Sequence, residues 1–283
     1  MDTIAQSGSV KAPFIPTGAV QQMAQRAINA LAAQKTPRDP GYLAGPPSLP
    51  APLILPEKTL NDLCDVYLAA ESNLGVQHQT ILRLRRHGLS NPVIVDDVIP
   101  AVARILGKRW ADDEVSFADV TIGTERLQKT VRRLATWGGA DGPNVGRAAS
   151  QNILLIVPQP EQHTLGAIVL TDQFRRLGYD VELEVHPSPQ RIIHLMQGRF
   201  YAMVGVTVAG HKTITWIKDL IGSIRANVQH AATPIVLGGV ATGQDLDVLR
   251  RTKADFVAND ARAALHVCGL PYDAAPPATV HDL

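Results

Sequence analysis

Between Glu57 and Trp137 apolar residues recur every three or four positions, whereas from Asn152 onward they gather into short β-branched runs. The first texture predicts helices. Leu60, Leu63, Val66, Tyr67 and Ala70 line one helix, and Ile81, Leu82 and Leu84 lie in a second that Gly88 closes. Ile94 to Trp110 forms a third, striped by Val98, Ile99, Val102 and Leu106. Ser116 is placed to cap a fourth, whose stripe runs through Phe117, Ile122, Leu127, Val131 and Leu134 to Trp137, where Gly138 and Gly139 stop it. Four helices with short connections predict a small bundle over residues 57–137.

The second texture predicts strands at Ile153 to Pro158, Val181 to Val185, Ala202 to Val208, Pro234 to Gly239 and Ala254 to Ala258, separated by amphipathic stretches of helix length. Central strands that are nearly all apolar require a parallel sheet covered on both faces. The expectation is therefore an α/β chain in which a helical bundle precedes a doubly wound, flavodoxin-like (Rossmann-type) domain over 152–270. Its ligand should lie at the carboxyl ends of the strands, near the switch point. The Gly-rich stretch at 138–151 reads as a linker and 271–283 as a tail. Residues 1–56 carry nine prolines and few aromatics. They read as a mobile arm, with one short helix expected over Val20 to Lys35.

Composition narrows the function classes. The chain has 283 residues, 27 Lys and Arg against 26 Asp and Glu, and a formal charge of +1. No large basic field exists to hold a nucleic acid, although Lys129, Arg132 and Arg133 make one basic helical face through which weak DNA contact stays open. The two cysteines, Cys64 and Cys268, fit neither a disulfide framework nor a zinc site, which suits a reducing cytoplasm. No stretch is long and apolar enough to predict a membrane span or a secretory signal.

Candidate chemistry sits at the strand ends. The loop after the first strand reads Pro160-Glu161-Gln162-His163-Thr164-Leu165-Gly166. Glu161 is placed to hold one ring nitrogen of His163, the partner that a ligating imidazole needs, and Gly166 allows close backbone approach as the next helix opens. A solvated loop histidine is the plain alternative. The third strand ends with a hydroxyl at Thr207, and the fourth ends in Gly238-Gly239, where bare backbone lets a flat group lie close or simply makes a tight turn.

Together these elements resemble the cobalamin-binding domain family, whose fingerprint is D-x-H-x-x-G, then S-x-L, then G-G. The separations here, 44 residues from His163 to Thr207 and 31 from Thr207 to Gly238, suit that layout. The resemblance implies that His163 is the lower cobalt ligand and Glu161 its orienting carboxylate. It further implies that Thr207, Ala209, Gly238 and Gly239 line the nucleotide tail, and that the Thr213 hydroxyl supports the histidine relay. Glu161, Thr207 and Ala209 depart from the family's Asp, Ser and Leu. These departures leave haem open as an alternative macrocycle on the same histidine.

The helices upstream resemble the four-helix cap of such proteins, with Trp110 as an aromatic lid over the corrin or else a plain core residue. Val120 and Thr121 stand where caps that sense adenosylcobalamin carry Glu-His. The Pro-rich arm, the E-Q-H-T-L-G loop and the VTVAGHKT segment resemble the PpaA/AerR antirepressors. That resemblance implies a cobalamin-binding, light-responsive regulator, not an enzyme, that relieves a PpsR/CrtJ-type repressor of photosynthesis genes. A corrinoid methyl carrier of a methyltransferase system is one alternative, and a cofactor-free receiver-like module, which shares the flavodoxin-like fold, is another. His211 is a candidate second contact to the cofactor or a helix cap, and His194 is expected to be no ligand.

Overall fold

The computed structural model describes residues 55–69, 72–137, 151–159, 161–208, 213–239 and 245–272. The expected helix over Val20 to Lys35, nearly all of the expected arm, the linker and the tail lie outside them.

The upstream part is a layer of helices. α1 spans Glu57–Leu68 and α2 spans Leu74–Arg86. The Asn73 side chain accepts from the backbone N–H groups of Gly75 and Val76, which starts α2. Gly88, at φ +86°, ends it: the N–H of Gly88 reaches the Arg85 carbonyl and that of Leu89 reaches Leu84, with Leu84 and Leu89 both buried. α3 covers residues 91–111 but is not uniform. Asn91–Val93 and Ile99–Ala111 are α-helical, and Ile94–Val98 between them is a π turn in which the Ile99 N–H donates to Ile94. Pro100 follows at once; it has no N–H for the Asp96 carbonyl and its ring crowds that oxygen, so the helix widens there.

α4, Phe117–Trp137, opens with a reciprocal cap in which Ser116 Oγ accepts from the Asp119 N–H and Asp119 accepts from both the N–H and hydroxyl of Ser116. Leu63, Tyr67, Ile81, Val98, Val102, Leu106, Leu127, Val131 and Leu134 form one buried cluster, as their spacing predicts. Phe117 and Ile122 do not join it. They are 60% and 46% exposed, so the stripe expected along α4 is covered only in its later half. Among the described residues no helix is long and apolar enough to cross a membrane.

The downstream part is a five-stranded parallel sheet. In chain order it comprises β1 (Asn152–Val157), α5 (Leu165–Arg176), β2 (Asp180–Val185), α6 (Pro189–Gly198), β3 (Met203–Thr207), α7 (Ile214–Ala226), β4 (Ile235–Gly238), α8 (Asp245–Thr252), β5 (Phe256–Val257) and α9 (Ala261–Val267). The strand order is β2-β1-β3-β4-β5, the flavodoxin-like order expected from the sequence. β1, β3 and β4 are almost wholly buried. On one face Leu154, Ile156, Val204, Val206, Ile235 and Leu237 meet α6, α7 and α8, and on the other Ile153, Met203 and Val236 meet Phe174 of α5 and Leu265 of α9.

α5 is covered from both sides. Ala167 and Phe174 face the sheet, while Ile168 and Val169 enter the cluster of the helical layer. Polar contacts hold it at both ends. Near its start Gln128 of α4 donates to the Thr164 hydroxyl at 2.9 Å. Near its end Asp96, in the π turn, accepts from Gln173 at 3.1 Å and from Arg176 at 2.6 Å, while Asp172 takes the Arg176 Nε at 2.7 Å. Burial works against the Arg176 guanidinium, but the two carboxylates outweigh it and keep it charged.

Candidate functional site

Parallel pairing brings four strand ends to one edge of the sheet. Val157 of β1 pairs with Val185 of β2, and Thr207 of β3 pairs with Gly238 of β4. The β3–β4 ladder continues one rung further, the Val208 N–H donating to the Gly238 carbonyl at 2.7 Å. The loop carrying Glu161 and His163 leaves β1 at this edge and enters α5.

The two residues of that loop differ sharply in environment. The Glu161 side chain is 5% exposed and the His163 side chain 71% exposed. Glu161 Oε1 accepts twice from the same residue, from His163 Nδ1 at 2.6 Å and from the His163 backbone N–H at 2.8 Å. Burial alone would raise the Glu161 carboxyl. Those two hydrogen bonds, the His163 charge and the Gln162 N–H outweigh it and hold the carboxyl below its ordinary range. In turn the hydrogen bond to Glu161 raises His163, against a smaller opposing effect of desolvation. An ionised carboxylate only accepts, so Nδ1 carries the proton, and the neutral ring presents the lone pair of Nε2 outward. A single oriented imidazole can hold a metal ion whose remaining ligands come from elsewhere, such as a macrocycle.

The other expected residues fall out as follows. Thr207 is half-buried at the end of β3, its hydroxyl 3.5 Å from the Ile156 carbonyl. Thr213 is buried at the start of α7. Gly166 lies in the first turn of α5, and a Cβ there would meet no atom within 4 Å among the described residues, so none of them accounts for the close approach expected at Gly166. The glycine pair has an internal reason. A Cβ on Gly239, whose φ is +126°, would stand 2.6 Å from the Val208 carbonyl oxygen, and one on Gly238 would stand 3.2 Å from that of Ala258. Bare backbone is thus required here by neighbouring backbone, before any flat ligand is considered. Ala209 and His211 lie outside the described residues. Trp110 is half-buried and tilted against Phe117, ring centroids 6.0 Å apart, while Val120 is half-buried and Thr121 exposed. His194 is exposed.

One participant was not anticipated. His186, directly after β2, turns its Nε2 to the backbone carbonyl of Glu161. A histidine ending an edge strand carries no sequence signal of such a contact.

No protein-family model matches the chain. It is 34% identical over 162 residues to the uncharacterised 20.5 kDa protein of the bchF-crtJ intergenic region of Rhodobacter capsulatus, which covers 57% of this chain and 83% of that one. Among solved structures, the monomethylamine corrinoid protein of Methanosarcina barkeri matches with a TM-score of 0.58 at 12% identity over 75% of this chain and 96% of that one. This likeness shows a shared fold. A cobalamin-binding protein from Desulfitobacterium hafniense DCB-2 matches with a TM-score of 0.40 at 14% identity, over 75% of this chain and 96% of that one.

Proposed function

The chain belongs to the family of the Rhodobacter capsulatus bchF-crtJ intergenic protein, and from that membership and the geometry at His163 we propose that it is a cobalamin-binding regulator of photosynthesis genes. The observation that carries the reading is the pairing of an exposed His163 with a buried, ionised Glu161 at the carboxyl edge of a parallel sheet. This donor set fits a corrin: the Nε2 lone pair of His163 would hold its metal, and a Cβ on Gly166 would meet no described residue within 4 Å.

His163 would hold the cobalt from below, Glu161 would fix its tautomer, and Thr207, Thr213, Gly238 and Gly239 would lie along the nucleotide tail. Trp110 of the helical layer would serve as the aromatic lid of the corrin. When bound, the corrin supplies a light-sensitive bond to its upper ligand. The chain supplies orientation and a surface, and under this reading it catalyses no reaction. The partner we propose is a repressor of the PpsR/CrtJ type, a choice supported by the resemblance in the sequence and by the position of the relative's gene beside crtJ. The fold shared with the monomethylamine corrinoid protein supports a second reading, a corrinoid carrier serving methyltransferases.

The deciding experiment mixes the purified chain with hydroxocobalamin in the dark, desalts it, and compares spectra of wild type and His163→Ala. Stoichiometric corrin with a band shift that His163→Ala loses is the expected result. Equal loss of corrin from both proteins overturns the cobalamin reading, and the same comparison with hemin then tests the haem alternative. With methyl- or adenosylcobalamin bound in the dark, repressor capture that changes on illumination separates the regulator from the methyl carrier.

A further inference from the structure

The histidine loop is tied down from outside by a residue with no part in the binding chemistry described so far. His186 extends the β1–β2 ladder by one rung, its N–H donating to the Val157 carbonyl at 2.9 Å. Its φ is +54°, a left-handed conformation that glycine or asparagine adopts more readily than histidine. The strain of a side chain at such a position is offset when the residue returns a contact.

What it returns is the contact to Glu161. A carbonyl oxygen only accepts, so His186 Nε2 carries the proton and donates to it. The Glu161 N–H is already bound to the Pro158 carbonyl at 2.9 Å, so the Glu161 backbone is fixed on both sides. The carbonyl that His186 holds belongs to the 161–162 peptide, and rotating that plane would carry Gln162 and His163 with it. The Glu161 carboxylate could not then keep both of its bonds to His163.

We propose that His186 is a positioning residue: it locks the peptide after Glu161 so that Glu161 stays on Nδ1 of His163 and Nε2 stays turned outward. The inference rests on the reading of His163 as the ligand-bearing residue, and it adds a third member to the pair.

The test uses the full chain and two substitutions that separate backbone conformation from hydrogen bonding. His186→Gly accepts the positive φ without strain and deletes the donor, whereas His186→Gln keeps an N–H donor of similar reach. The first readout, in the ligand-free protein, is hydrogen exchange at the His163 amide, whose partner is Glu161. The second is the amount and band position of hydroxocobalamin retained after desalting. His186→Gly is expected to melt no lower than wild type, yet to exchange the His163 amide about two- to tenfold faster and weaken corrin retention by a similar factor, the loss of one hydrogen bond. His186→Gln should restore both.

Wild-type exchange and wild-type retention in His186→Gly would overturn the proposal. Should His186→Gly melt early, His186→Gln and His186→Phe make the same comparison, because both carry the strained backbone and only the first can donate; identical behaviour of these two overturns the proposal as well. If wild type itself retains no corrin, the reading of His163 as a cobalt ligand fails, and the amide exchange still decides whether His186 orders the loop.

Discussion

Replacing Gly239 by alanine tests why the glycine pair is there. At φ +126° a side chain costs about 1–3 kcal/mol from backbone strain alone. The new Cβ would also stand 2.6 Å from the Val208 carbonyl oxygen, so the backbone at Val208 has to shift. That shift disturbs the last rung of the β3–β4 ladder, the 2.7 Å bond from the Val208 N–H to the Gly238 carbonyl, worth about 0.5–1.5 kcal/mol. The sum is about 1.5–4.5 kcal/mol, or roughly 3–18 °C in melting temperature for a cooperative unit of this size. The assay is thermal and urea unfolding of the ligand-free chain. Gly166→Ala is the control: its Cβ meets nothing within 4 Å, and alanine favours helix over glycine by about 0.8–1 kcal/mol, so it should melt at or above the wild type. If Gly239→Ala melts like wild type and loses only corrin, the contact with Val208 is irrelevant and the glycine serves a bound ligand instead.

Two further substitutions probe the helical layer. Burial pushes the Tyr67 phenol up to about 12 from 10.0, against a smaller lowering by its hydrogen bond to Thr130. A folded pKa above the unfolded one stabilises the fold fully below pH 10.0 and loses that contribution as pH rises towards about 12, which amounts to about 2–3 kcal/mol. Urea midpoints should therefore fall across that alkaline range in wild type and stay flatter in Tyr67→Phe; parallel curves would refute the assignment. Asp96→Ala removes the acceptor shared by Arg176 and Gln173 and should cost about 1–2 kcal/mol for a half-buried pair in a network. Hydrogen exchange should quicken in the π turn and at the end of α5 while β1 and β3 stay protected, and a uniform increase would show that the contact has no local role.

The sequence reports some of these features and is silent on others for identifiable reasons. The sheet was legible because β1, β3 and β4 are buried on both faces and so read as unbroken apolar runs. The contact between Glu161 and His163 was legible because two residues of separation in a short loop leave few other arrangements. Periodicity located α4 but not its coverage: it shows that Phe117 shares a stripe with Leu127, yet not where the neighbouring helices stop. The π turn had a visible cause in Pro100, but its consequence depends on Arg176, 80 residues away. Gly239 was noticed for its conformational freedom but not for its neighbour in the fold, since Val208 approaches only once β3 and β4 are paired. His186 was illegible, because neither a positive φ after an edge strand nor a contact to a loop 25 residues upstream leaves a mark in the sequence.

Under the proposed function, a change at His163 has to reach the surface of the helical layer, and the contacts on α5 constrain how. Gln128 grips Thr164, the residue next to His163, and Asp96 grips Arg176 at the other end of the same helix. Between these ends Ile168 and Val169 are buried against the layer. Lifting the layer away would expose both side chains, at about 1.5–3 kcal/mol each, and would break the two polar grips as well. That total, about 4–9 kcal/mol, is comparable to or larger than the roughly 5.5 kcal/mol of differential binding that reverses a two-state equilibrium from 1:99 to 99:1. Sliding α4 along α5 keeps the apolar contact and exchanges only polar partners, so it needs far less. Under the proposed function, shear of the helical layer across α5, with Gln128 as its first point of purchase, is therefore the less costly route for a signal from the histidine loop than opening of the layer.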